Sequence, residues 1–144
     1  MIGRSKAAPE EKTLGLYLHI PFCAKKCDYC DFYSLAGAQD RMDDYVQALE
    51  TQLAEFAPRA AQHTVDSVYF GGGTPTLLGE KRLIRLLKLI LKKYRVAKGA
   101  EITPEANPES AGDFRALRAL RRAGFCRISL GMQSADDAEL RSVG

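Results

Sequence analysis

Four short apolar runs alternate with amphipathic helical stretches along this chain, and that alternation restricts the fold more than any other feature. Residues 14–20, 65–70, 100–103 and 126–130 read as strands. Between them, residues 43–56 carry Tyr45, Val46, Leu49, Leu53 and Phe56 at helical spacing. Residues 80–94 do the same with Leu83, Leu86, Leu87, Ile90 and Tyr94. Ser110 is an expected N-cap for a third helix with Phe114, Leu117 and Leu120 inward, and Ser134 for a short helix from Ala135. Strands that alternate with helices call for a parallel sheet, because each return crossing needs a helix. The class is therefore α/β, built from four βα units. Gly71-Gly72-Gly73-Thr74 has neither the lysine of a P-loop nor the spacing of a dinucleotide loop, which favours barrel-type winding.

At 144 residues the chain is one domain or part of one. Its net charge of +3 identifies no partner. Lys and Arg gather in 81–95 and 115–122, where they read as solvated helix faces and not as a nucleic-acid site. No apolar run reaches the roughly 20 residues that span a membrane. Residues 1–13 are polar and mixed in charge and read as a flexible tail without the apolar stretch of a secretory signal.

Every unusual segment falls at the C-terminal end of an expected strand, the end at which (β/α) barrels build their sites. The first holds Cys23, Cys27 and Cys30, spaced four and then three apart. Three thiolates this close suit one soft metal centre. Closed zinc sites and ordinary iron–sulfur sites take four protein ligands, so three leave a metal position open. A zinc site completed by His19 or Cys126 is the alternative. A disulfide framework fits poorly, because Cys126 is remote and reads as a small buried apolar residue. The second segment is Gly71-Gly72-Gly73-Thr74-Pro75-Thr76, where glycines permit close backbone approach to a small polar group. Glu105 ends the third strand, and a carboxylate there suits the two hydroxyls of a ribose. Gln133, after the fourth, offers both a donor and an acceptor.

The segment Tyr17-x-His19-Ile20-Pro21-Phe22-Cys23-x3-Cys27-x-Tyr29-Cys30-Asp31-Phe32 resembles the cluster loop of the radical S-adenosylmethionine (SAM) superfamily. It is most similar to the branch that holds oxygen-independent coproporphyrinogen III oxidase and the HemW-type heme chaperones. The resemblance covers nearly all of 14–144 and implies the first four units of a partial (β/α)6 barrel. It implies a [4Fe–4S] cluster on Cys23, Cys27 and Cys30, with the fourth iron chelating the amino and carboxyl groups of SAM. Electron donation to SAM would then give a 5′-deoxyadenosyl radical. Tyr17 and Tyr29 are implied to approach SAM, with Tyr29 beside the adenine. Gly72, Gly73 and Thr74 lie in the segment that holds its amino group, Glu105 takes the ribose, and Gln133 faces the cofactor cavity. His19 is expected to hydrogen-bond behind the cluster loop and not to bind iron. The oxidase has a further cysteine two residues after the third ligand, where this chain has Phe32. That departure favours a chaperone with heme or porphyrin as cargo, delivered to heme-acceptor proteins. Relatives continue for two more βα units and a C-terminal domain. The chain therefore reads as a truncated N-terminal portion, with the heme-contacting region beyond Gly144. Thiols that bind iron also need a reducing compartment, so the cytoplasm is expected.

Overall fold

The structure, a computed structural model, describes residues 12–143. In chain order its elements are β1 (Lys12–Ile20), β2 (Phe22–Cys23), β3 (Leu35–Ala36), α1 (Met42–Phe56), β4 (His63–Gly72), α2 (Gly79–Lys93), β5 (Val96–Ala106), α3 (Phe114–Ala123), β6 (Ser129–Leu130) and α4 (Asp137–Ser142). A curled parallel sheet runs in the order β1-β4-β5-β6, and β2 pairs with β3 in a separate parallel ribbon. Each large-sheet strand is followed by a helix, so the four expected βα units are present.

Alternation along the strands divides the sheet into two faces. Leu18, Ile20, Val68, Phe70 and Ile102 are buried in one core with Val46 and Leu53 of α1, Leu83, Leu86, Leu87 and Ile90 of α2, and Leu120 of α3. Each such side chain taken out of water contributes about 1.5–3 kcal/mol, which is what docks the helices. The opposite face carries Tyr17, His19, Tyr69 and Glu105, which touch one another and not that core. On the surface Arg82 Nε donates to Asp43 Oδ1 at 2.7 Å, and the Arg85 guanidinium pairs with the Glu50 carboxylate. These two pairs tie α2 to α1, and being exposed they orient the helices more than they stabilise them.

Several expectations need correction. Lys12 and Thr13 are strand residues, not tail, because Lys12 pairs with His63 and Thr13 with Thr64 across the ladder. The rest of the expected tail, 1–11, lies outside the described residues. Asp113, not Ser110, caps α3, its carboxylate accepting from Arg115 N at 2.8 Å and Ala116 N at 3.3 Å. Ser110 is spent on a turn, accepting from Asn107 N and donating to Asn107 O. Phe114, at the first position of α3, is 67% exposed and lies under the Arg118 guanidinium instead of in the core. The fourth strand is shorter than expected, because the Cys126 and Arg127 amides both donate to Ile102 O and no ladder forms before Ser129. Cys126 is accordingly exposed, not buried. Asp136 caps α4, and Ser134 accepts from its amide.

Candidate functional site

The ends of β1 and β4 are laced together by backbone. Gly73 N donates to Ile20 O at 2.8 Å, and Thr74 N donates to Phe22 O at 2.7 Å. This approach leaves no room for side chains. A Cβ on Gly73 would lie 2.6 Å from Phe22 O and 3.0 Å from Cys23 Sγ. Gly72 has a φ of +113°, which disfavours other residues, and a Cβ there would lie 2.6 Å from the His19 ring. Thr74 is buried, with its Oγ1 4.0 Å from Cys23 Sγ and accepting from Asn107 Nδ2 at 3.3 Å.

The cysteine loop hangs from this junction. His19 meets the Tyr33 carbonyl through Nε2 at 2.9 Å and the Tyr17 hydroxyl through Nδ1 at 3.2 Å. A carbonyl can only accept, so in the neutral ring the proton sits on Nε2 and Tyr17 donates to Nδ1. The expected supporting role of His19 is thus visible in its contacts. Leu35 N donates to Pro21 O at 2.7 Å, and Lys26 Nζ donates to Phe32 O at 2.7 Å, closing the loop.

Cys23, Cys27 and Cys30 are partly exposed free thiols on the wall of one open cavity of about 670 Å³. Among the described residues no three His, Cys, Asp or Glu side chains already form a metal-holding group. The donor set nevertheless suits an iron–sulfur cluster: three soft ligands face one space, and the glycine cradle keeps Cys23 Sγ clear. The zinc alternatives fare worse. Both His19 nitrogens are engaged, and Cys126 sits beside Ala100 and Ile102, away from the cavity.

Tyr29, Gly72, Gly73 and Thr74 also line the cavity. Glu105 and Gln133 complete it from the ends of β5 and β6. The Glu105 carboxylate is held from two sides: Tyr69 OH donates to Oε1 at 2.7 Å, and Gly72 N donates to Oε2 at 3.0 Å. Burial, and then this bond, raises the Tyr69 phenol above its ordinary value. Gln133 has a φ of +63°, and its Nε2 lies 2.9 Å from where a Cβ on Gly131 would be. A non-glycine residue in that region marks a strained corner at the cavity rim. Tyr17 alone of the expected site residues is absent from the wall. It stacks on Tyr69 with ring centres 6.2 Å apart. Asn107 and Ser129 line the cavity without having been expected there; their only sequence signal was a place at the strand ends.

Comparison with known proteins agrees with this geometry. The model of the radical SAM superfamily matches residues 17–144. The heme chaperone HemW of Mycobacterium tuberculosis is 45% identical over 127 residues, covering 85% of this chain and 32% of that protein. HemW of Escherichia coli is 42% identical, covering 91% and 35%. Oxygen-independent coproporphyrinogen III oxidase of Escherichia coli is 38% identical, covering 92% and 29%. The solved structure of the Escherichia coli oxidase, a radical SAM enzyme, superposes with a TM-score of 0.85 at 36% identity, covering 92% of this chain and 31% of that one. The chain spans about a third of the length of these relatives. Sequence match, fold likeness and a three-thiol loop at the strand ends concur, and the chain belongs to the radical SAM superfamily.

Proposed function

We propose that this chain is the cofactor-binding part of a HemW-type heme chaperone, with a [4Fe–4S] cluster on Cys23, Cys27 and Cys30 and SAM beside it. When bound, this pair supplies one-electron cleavage of SAM, chemistry that belongs to the cofactors. The chain's own residues bind and orient. Thr74 Oγ1 and the carbonyls of Gly72 and Gly73 can accept from the SAM ammonium, while the Gly72 amide is committed to Glu105. Glu105 takes the ribose hydroxyls, Tyr29 flanks the adenine, and Gln133 offers its amide from the same cavity wall. Tyr17 acts from behind, through its contacts with Tyr69 and His19. Heme or porphyrin is the cargo, acceptor proteins are its destination, and a reducing cytoplasm keeps the thiols competent.

The observation that carries the chaperone reading is Phe32. It stands at the position of the oxidase's additional cysteine, is 67% exposed and lines the cavity. Phenylalanine has no thiol and no hydrogen-bonding group, so any role of that cysteine is lost. Oxidase activity is the second reading, and the structural likeness to the oxidase favours it. The test uses the full-length protein with its cluster loaded. Heme is titrated in and its transfer to an apo-acceptor followed; separately, SAM, reductant and coproporphyrinogen III are supplied. Heme transfer without protoporphyrinogen formation is expected. Robust decarboxylation with no heme binding would reverse the choice.

A further inference from the structure

We propose that Tyr69 is a positioning residue that fixes the Glu105 carboxylate for the two ribose hydroxyls of SAM. The inference rests on the reading that Glu105 takes the ribose. An ionised carboxylate has about four acceptor sites. Tyr69 OH occupies one on Oε1 and Gly72 N one on Oε2, at 2.7 and 3.0 Å. Two sites remain, one on each oxygen, which is what a vicinal diol requires. The two donors also remove the rotation of the terminal carboxylate, so the free sites keep one direction.

Tyr69 is itself held. On the ladder it pairs with Tyr17 of β1 and with Thr103 of β5, so its hydroxyl reaches the residue two further along β5 on the same face. Its ring lies nearly parallel to that of Tyr17, at 14° and 6.2 Å. Gly71 makes room for both: a Cβ there would be 2.8 Å from Tyr69 Cε1 and 3.0 Å from Tyr17 Cε2. Tyr69 is not on the cavity wall, so it acts through Glu105 and not on the ligand.

The experiment titrates SAM and its 2′-deoxyribose analogue into cluster-loaded protein, in the wild type, Tyr69→Phe and Glu105→Ala. Tyr69→Phe keeps the stack and removes only the hydroxyl; its melting curve checks the fold. The expected result is SAM binding about tenfold weaker in Tyr69→Phe, with the wild type's preference for the 2′-hydroxyl much reduced. Glu105→Ala should abolish that preference. A Tyr69→Phe protein with the full preference, or with both ligands weakened equally, would overturn the positioning role while Glu105 keeps its own. Full preference retained in Glu105→Ala would instead overturn the ribose reading.

Discussion

At the scale of single residues, the site depends on what is missing as much as on what is present. Gly73 lets the second loop touch the backbone of Pro21 and Phe22, and no side chain fits there. Gly73→Ala should therefore push the β4 end away from the cysteine loop. A clash with backbone cannot relax by a rotamer change, so a loss of about 1–3 kcal/mol is expected in denaturant unfolding, with poorer cluster loading. Unchanged stability and loading would show that the junction is slack. That the three cysteines, Gly72, Gly73 and Glu105 meet at one cavity was legible from sequence, because βα order alone sends strand ends to one face. Tyr69 and Asn107 were not. Their partners, Glu105 and Thr74, lie 36 and 33 residues away, and only the strand register decides that they meet. The surroundings of Tyr17 were hidden by the same gap: its hydroxyl meets His19 and its ring stacks on Tyr69.

At the scale of elements, the helices show where periodicity is informative and where it stops. The stripe on α2 was readable because all four of Leu83, Leu86, Leu87 and Ile90 must leave water. Helix starts were less so, since Ser110 and Asp113 are both good caps three residues apart and only one can open α3. The turn at Asn107 takes Ser110, which leaves the orphan amides of α3 to Asp113. Asp113→Ala should cost about 1 kcal/mol of stability by thermal or denaturant unfolding. Ser110→Ala should leave the α3 cap intact and act instead on Thr76, whose hydroxyl lies 2.7 Å from Ser110 Oγ. The reverse order of effects would return the cap to Ser110.

At the scale of the whole molecule, one sheet carries the core on its helix side and the site at its C-terminal ends. The alternation of strands and helices foretold this layout, whereas the length of the fourth strand depended on where Cys126 and Arg127 sent their amides. Strand β4 lies between β1 and β5, while β6 is a two-residue strand paired only with β5 among the described residues. Hydrogen exchange should therefore be slow at 68–70 and much faster at 129–130. Equal, strong protection in a monomer would contradict the described edge. The wall of the cavity draws on all four strand ends, and its chemistry is set by what the three thiols bind there. The direct measurement is iron, acid-labile sulfide and zinc after oxygen-free reconstitution of the wild type, Cys27→Ser and Cys126→Ser. About four irons and about four sulfides per chain are expected in the wild type and in Cys126→Ser, with loss in Cys27→Ser. Zinc without sulfide, or equal iron loading in Cys27→Ser, would contradict this expectation.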